Sequence, residues 1–183
     1  MSPSANRYVA FLRALNVGGH TVEMARLKQL FEQLKLGGVE TFIASGNVIF
    51  DAPRAAGSAA AALEKKIAAH LEKALGYAVA TFLRSPAELA AVLAHGAFPK
   101  PRAGSTIHIG FLGAPATAAA KRQVLALASA IDDFHLDGRQ LYWRCAGRFS
   151  DSVVSGPKLE KALGQPTTMR KITTVERLVK KYA

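Results

Sequence analysis

The sequence predicts an α+β fold made of two subdomains that pack as one compact body. Strand and helix patterns follow one another in the order βαββαβ over residues 1–84, which is the ferredoxin-like plan. A second α+β series with terminal helices occupies residues 85–183 and shows a weak αβ repetition. The residues are 50% hydrophobic, which is enough for a core, and no low-complexity linker separates the two series.

In the first subdomain, runs of strand formers alternate with apolar residues at helical spacing. The Ser45-Gly46-Asn47 segment predicts a hairpin turn between two of the strands. The predicted elements are a strand over Tyr8–Leu15, a helix carrying Met24, Leu27, Leu30, Phe31 and Leu34 and closed by Gly37-Gly38, strands over Val39–Ala44 and Val48–Phe50, a loop over Asp51–Gly57, a helix carrying Leu63, Ile67, Leu71 and Leu75, and a strand over Tyr77–Leu83.

Cap and turn residues mark the elements of the second subdomain. Ser85, Pro86 and Glu88 predict a helix start, and Thr173 with Glu176 predicts a capping box for the last helix. The other predicted elements are a strand with Ile107, Ile109 and Phe111, a helix capped by Thr117, a hairpin of Ile131–Leu136 and Gln140–Arg144 turned at Asp137-Gly138, and a short helix over Lys158–Leu163 that ends at Gly164.

Composition excludes several classes of protein. No apolar run approaches the roughly 18–20 residues that span a bilayer, and the first residues do not resemble a secretory signal. Cys145 is the single cysteine, which excludes an internal disulfide and a cysteine-based zinc cage. Together these features predict a cytoplasmic protein. The net charge is +11, and residues 139–183 carry ten Lys and Arg against three Asp and Glu, which favours an anionic partner.

The most site-like feature is the loop from Arg13 to His20. In a βαββαβ unit the loop after the first strand and the turn between the second and third strands emerge at the same end of the sheet. We therefore expect residues 16–20 to lie close to residues 45–47, where glycine backbone N–H groups and a helix N-terminus would suit a phosphate, a carboxylate or an oxyanion. The alternative is that the glycines only make a tight turn and that the asparagine only satisfies a positive φ. The group expected to meet there is Asn16, Gly18, Gly19, His20, Ser45, Gly46 and Asn47.

Arg13 is a charge in an otherwise apolar strand, where alternation places it on the same face as Phe11 and Leu15. Such a charge must be paired or point towards solvent. Three interpretations stay open, a buried structural ion pair, a ligand-binding arginine and an arginine on an exposed strand face.

Three segments, RALNVGGHTVEM, TFIASGNVIF and PTTMRKITTVERL, resemble the motifs of a bacterial family, the domain of unknown function family 1697. The resemblance implies two ferredoxin-like (βαββαβ-type) subdomains and no established activity. The positions that match the family pattern are Arg13, Asn16, Val17, Gly18, Gly19, Ser45, Gly46, Asn47, Thr168, Arg170 and Thr174. Lys171-Ile172 stand where the family usually has Asn-Trp. If that pair contacts a ligand in relatives, this chain has lost both groups or binds something different, and if the pair only packs the last helix, little is lost.

Thr168 and Arg170 precede the last predicted helix, whose N-terminus favours an anion. We hypothesise that Arg170 approaches the first loop and completes an anion site with Arg13. The alternative for Arg170 is a salt bridge that joins the C-terminal helix to the core.

The sequence as a whole predicts an uncharacterised cytoplasmic protein that binds a small anionic or phosphorylated ligand at loops 13–20 and 45–47. The alternative is an RNA- or DNA-binding module that uses the basic C-terminal region. His20 is the best titratable candidate. Cys145, next to Arg144 and near Arg148, is either a thiol of lowered pKa or a buried packing residue. The sequence points to no metal site and assigns no cofactor and no catalytic group.

Overall fold

A computed structural model of the chain describes residues 5–43, 46–53, 58–100 and 102–183. The chain divides into two compact units, Met1–Pro86 and Ala87–Ala183. Each unit contains one four-stranded antiparallel sheet. The α+β class and the two βαββαβ units predicted for this chain are therefore confirmed.

The first unit has the βαββαβ order of the ferredoxin-like plan, and its sheet has the strand order β2-β3-β1-β4. Its elements are β1 (Ala5–Leu12), α1 (Met24–Gln33), β2 (Gly37–Thr41), β3 (Asn47–Pro53), α2 (Ser58–Leu75) and β4 (Thr81–Arg84). Both helices turn their apolar stripes to one face of the sheet. Phe31 of α1 contacts Phe50 of β3 with ring centroids 5.6 Å apart, and Ile67 and Leu71 of α2 are fully buried in the same core. Burial of each such side chain contributes about 1.5–3 kcal/mol.

The second unit repeats this order between two added helices, and its sheet has the strand order β6-β7-β5-β8. Its elements are α3 (Pro86–Ala94), β5 (Ser105–Leu112), α4 (Ala118–Leu125), β6 (Asp132–Asp137), β7 (Gln140–Ala146), a 3-10 turn (Phe149–Asp151), α5 (Gly156–Leu163), β8 (Thr167–Lys171) and α6 (Ile172–Tyr182).

A buried carboxylate supports the core of the second unit. Asp132 is fully buried, and its two oxygens accept hydrogen bonds from Trp143 Nε1 at 2.8 Å and from the hydroxyls of Ser129 and Ser152 at 2.9 Å each. These three donors compensate the loss of water around the carboxylate. Asp132 is thus a structural group that fixes Trp143 in the core.

The structure corrects the boundaries of several predicted elements. β1 ends at Leu12, because the backbone bends at Arg13 and Ala14 has a φ of 59°. The prediction that Arg13 lies in the strand is therefore wrong. Further differences are that α1 ends before Gly37-Gly38, which belong to β2, that Asp51–Pro53 continue β3, and that Tyr77 precedes β4. The rest of the predicted loop, 54–57, lies outside the described residues.

Near the C-terminus the structure contains a strand that the sequence did not indicate. β8 ends at Lys171, and α6 begins at the next residue with Lys171 as its N-cap and no side-chain cap. The predicted capping box is wrong, because Thr173 lies inside the first turn of α6. The predicted cap at Thr117, the turn at Gly138 and the helix end at Gly164 are confirmed. Among the described residues, none of the helices combines the length and the hydropathy that crossing a bilayer requires.

Candidate functional site

The loop after β1 is open to solvent around its glycines. Asn16 to His20 are exposed, and Gly18 and Gly19 have φ angles of 66° and 85°. A Cβ atom added to either glycine would meet no atom within 4 Å. The glycines are therefore required by the backbone conformation, and the space beside them is free.

Other residues hold this loop in place through short contacts within the first unit. Asn16 Oδ1 accepts a hydrogen bond from the Val22 N–H at 2.9 Å, which closes the loop. The His20 ring stacks on Tyr77 with centroids 4.0 Å apart, and the Tyr77 hydroxyl donates to the Leu15 carbonyl at 2.7 Å. The side-chain oxygen of Asn16 thus helps to fix the shape of the loop.

The β2–β3 turn lies beside the end of β1, close to the start of this loop. The Leu12 N–H donates to the Gly46 carbonyl at 2.9 Å. Asn47 is fully buried, and its Nδ2 donates to the Phe42 carbonyl at 3.0 Å, so its amide stabilises the turn from the inside. Arg13 is half-buried, and its N–H donates to the Ala80 carbonyl. Ser45 lies outside the described residues.

Thr168 and Arg170 belong to β8 of the second unit, whereas Arg13 belongs to the first. Arg170 Nη1 donates to Thr168 Oγ1 at 2.8 Å and to the Met169 carbonyl at 2.9 Å. The Arg170 side chain is buried, which lowers its pKa to about 10. Both residues thus take part in hydrogen bonds within their own strand, and a shared site with Arg13 stays a prediction.

A second feature, which the sequence did not reveal, is a cavity in the second unit that we call the basic cavity. Its volume is about 320 Å³. Four cationic side chains contribute to its wall, namely those of Lys100, Arg102, Arg144 and Lys171. The apolar part of the wall is formed by Phe98, Ile107 and Ile172. The register of the sheet explains this grouping, because Arg144 of β7 pairs with Ile107 of β5, and Lys171 of β8 pairs with the neighbouring His108.

The two arginines of the basic cavity are fixed by one carboxylate. Asp133 Oδ2 lies 2.8 Å from Arg144 Nη2 and 3.4 Å from Arg102 Nη1. Arg144 also donates to the Lys100 carbonyl at 2.7 Å, and its guanidinium carbon lies 4.5 Å from the centroid of the Phe98 ring. Arg144 is therefore held from three directions and presents a fixed guanidinium to the cavity.

The basic cavity carries further positive charge on two lysines. Within the described part of the chain, the ammonium groups of Lys100 and Lys171 form no ion pair. Lys171 is also the N-cap of α6, a helix with no side-chain cap and no acidic residue in its first turn. A cation at a helix N-terminus adds to the positive end of the helix dipole, which is unfavourable unless an anion is nearby. Ile172 and Thr173 of this first turn line the cavity.

Other titratable groups are placed in ways that serve packing. Cys145 is buried, and burial together with the Asp132 carboxylate raises the pKa of its thiol, so the neighbouring arginines do not activate it. His95 Nε2 and His135 Nε2 are 2.8 Å apart, and burial followed by the charge of His95 lowers the pKa of His135. In the described ranges, no group of three or more His, Cys, Asp or Glu is arranged to hold a metal ion.

The comparisons with known proteins agree with the fold. The sequence matches the model of a family described as Protein of unknown function (DUF1697) over residues 5–142. No curated protein matches the sequence significantly. The structure is similar to that of the conserved bacterial protein SP0830 from Streptococcus pneumoniae, with a TM-score of 0.70 and 20% identity over 98% of this chain and 99% of that one. At this identity the likeness shows a common fold alone. The family match covers well over half of the chain, and the protein therefore belongs to the DUF1697 family.

Proposed function

We propose that this protein binds a small anionic ligand that carries a phosphate group, and that the basic cavity of the second unit holds it. The observation that carries this proposal is the meeting of four cationic side chains and a helix N-terminus in one cavity of about 320 Å³. A volume of this size lies at the lower end of the range of roughly 300–1,000 Å³ for small-molecule pockets. The ligand we propose is therefore small.

The chemistry of the basic cavity fits a phosphate group. Arg144 is rigidly held, because its Nε and Nη2 face Asp133 and its Nη1 donates to the Lys100 carbonyl, and it therefore adds a fixed positive charge to the cavity. Lys100 and Lys171 supply mobile ammonium groups that adapt to the position of the anion. Asp133 neutralises one of the four positive charges, so an anion of charge −1 or −2 is attracted without further rearrangement.

The loop over residues 13–20 and the turn at 45–47 stay our second predicted location for the ligand. Its support is the open space beside Gly18 and Gly19 and the proximity of Gly46 to the end of β1. Of its predicted ligand groups, Asn47 Nδ2 already donates to the Phe42 carbonyl, and Asn16 Oδ1 already accepts from the Val22 N–H. The basic cavity, with two lysines that form no ion pair with any described residue, is the better supported location.

Isothermal titration with a phosphate monoester, ribose 5-phosphate, at constant ionic strength tests this proposal. We expect Lys171→Gln to weaken binding by about tenfold to a hundredfold, because a hydrogen bond to a charged group contributes about 1.5–3 kcal/mol. Lys66→Gln on α2, which removes an exposed positive charge from the first unit, is the matched control and leaves the affinity unchanged.

Arg13→Gln separates the two predicted locations. If Arg13→Gln weakens binding and Lys171→Gln does not, the ligand belongs to the loop and the proposal of the basic cavity is overturned. If no phosphate monoester binds at millimolar concentration, the proposed function itself is rejected.

The RNA- or DNA-binding alternative receives less support. Sheet-based RNA binders stack bases on exposed aromatic side chains of the middle strands. Phe50 of the middle strand β3 is fully buried against Tyr8 and Phe31, and Phe42, the other aromatic that could serve in the first unit, is half-buried and lies just after β2. We propose no reaction for this protein, and its location in the cytoplasm stays a prediction from the sequence.

A further inference from the structure

We infer that the ligand of the basic cavity is a nucleoside monophosphate, a phosphate monoester with a flat ring system, and this inference rests on the proposed function. It concerns the part of the ligand that is not phosphate. The evidence is the wall of the cavity, which is partly cationic and partly apolar.

The apolar part of the wall is too extensive for a small inorganic ion. Phe98, Ile107 and Ile172 line the cavity together with the four cations. A lone phosphate would leave these side chains facing water, so their burial would contribute nothing to its binding. An organic body attached to the phosphate covers them and gains that contribution. A ribose alone is small and carries several hydroxyl groups, so it covers less of this apolar wall than a ribose with an attached ring system.

The pair formed by Phe98 and Arg144 indicates that the part of the ligand other than phosphate is flat. The ring and the guanidinium are both planar, they lie 4.5 Å apart, and both line the cavity. The guanidinium lies over the ring, so each group covers one face of the other, and a nucleobase that enters the cavity would stack on an outer face of this pair. The Arg144 plane is held by Asp133 and by the Lys100 carbonyl, so stacking on it costs little conformational entropy.

The same region supplies hydrogen-bonding groups that suit a nucleoside. Ser105, Thr106 and Thr173 line the cavity with hydroxyls that both donate and accept. Ribose hydroxyls and base edges need such partners when they leave water. Cations for the phosphate, hydroxyls for the ribose and a planar pair for the base occur together in this cavity.

Isothermal titration with a series of probes tests the inference at constant ionic strength. The probes are inorganic phosphate, ribose 5-phosphate, adenosine and adenosine 5′-monophosphate. We expect the monophosphate of adenosine to bind roughly tenfold or more tightly than ribose 5-phosphate, as stacking of one base on an aromatic side chain provides. We expect adenosine to bind more weakly than its monophosphate, because it lacks the phosphate.

Substitution of Phe98 identifies the stacking contribution. Phe98→Leu keeps an apolar side chain without the ring, and we expect it to lower the affinity for adenosine 5′-monophosphate by about the contribution of stacking, roughly fivefold or more. The affinity for ribose 5-phosphate should fall less, because Phe98 acts on that ligand only through its contact with Arg144. Phe149→Leu is the matched control, since Phe149 is an exposed phenylalanine of the same unit that contacts His108 and Trp143 and does not line the cavity. It should preserve the preference for the nucleotide.

The outcomes separate this inference from the proposed function. If ribose 5-phosphate binds and is sensitive to Lys171→Gln, but adenosine 5′-monophosphate binds no more tightly, the nucleotide inference is overturned and the proposed function stands. If no phosphate compound binds, both are rejected. If a 5′-phosphorylated dinucleotide binds more tightly than the mononucleotide, the occupant is the end of a nucleic acid and the inference of a free nucleotide is overturned.

Discussion

Lys171 shows how one residue can change the character of a site without changing the fold. By the sequence resemblance it stands with Ile172 at positions where the family motif usually has Asn-Trp, and the structure places both residues on the wall of the basic cavity. An ammonium in place of an amide adds positive charge at the N-terminus of α6, and an isoleucine in place of an indole provides no aromatic ring. We therefore expect Lys171 to favour an anion in this cavity more than an amide at the same position would.

Gly46 provides a prediction at the scale of a single residue. Its φ is 73°, and an added Cβ would lie 3.3 Å from Leu12 Cβ and 3.5 Å from Leu15 Cδ2. We expect Gly46→Ala to lower the free energy of unfolding by more than the roughly 1–2 kcal/mol that a left-handed conformation costs a non-glycine residue, because crowding against β1 adds to that strain. Urea denaturation measures the difference.

Gly76→Ala is the matched control for Gly46→Ala. Gly76 has a φ of 83°, but a Cβ there would meet nothing within 4 Å, so only the backbone strain applies. Equal losses of stability in the two variants would contradict the close approach of the turn to β1.

Single residues of the loop after β1 and of the β2–β3 turn were predictable in part. Gly18, Gly19 and Gly46 have the positive φ angles that glycines in turn motifs suggest. The burial of Asn47 was not predictable, because the same Ser-Gly-Asn segment fits an asparagine that faces solvent. The Phe42 carbonyl that its amide satisfies becomes a neighbour only once the β2–β3 pair has formed.

At the scale of elements, the end of the second unit shows why some boundaries cannot be read from the sequence. β8 alternates poorly in hydrophobicity, since its buried residues are Thr167, Thr168 and Arg170. Their burial depends on the pairing of β8 with β5, a contact between residues far apart in the chain. Thr173 and Glu176 have the spacing of a capping box, but β8 continues into α6 without the loop that a cap requires.

Thr117 and Thr173 give a direct test of this assignment of helix starts. Thr117 Oγ1 accepts a hydrogen bond from the Ala120 N–H at 3.1 Å and caps α4, so we expect Thr117→Ala to lower the free energy of unfolding by about 0.5–2 kcal/mol. Thr173 is an exposed residue inside the first turn of α6, so Thr173→Ala should change stability by no more than about 0.5 kcal/mol. Thermal denaturation without ligand measures both. If Thr173→Ala lowered the free energy of unfolding as much as Thr117→Ala, the predicted capping box at Thr173 would be supported after all.

For the whole molecule, the order of elements was predictable except for β8, and the better supported site was not. The order of strands and helices in each unit follows from local hydrophobic periodicity and from turn residues such as Gly138 and Gly164, and both signals are visible in the sequence. The basic cavity instead combines the segment before β5, the middle of β7 and the junction of β8 with α6. The sequence indicated a basic C-terminal stretch, but the register of three strands decides which of its cations meet.

The net charge of +11 is a property of the whole molecule, and it predicts salt-dependent retention of RNA that is distinct from ligand binding in the basic cavity. We expect any retention of single-stranded RNA in a filter-binding assay to fall steeply with salt, since it depends on the release of counterions from phosphates. Lys171→Gln and the control Lys66→Gln should reduce this retention equally, because each removes one positive charge from a broad field. Only Lys171→Gln should weaken the binding of ribose 5-phosphate. If Lys171→Gln alone lost RNA retention, the cavity would be a nucleic-acid site and the alternative function would be the better supported one. If no RNA were retained at low salt, the nucleic-acid alternative would be rejected.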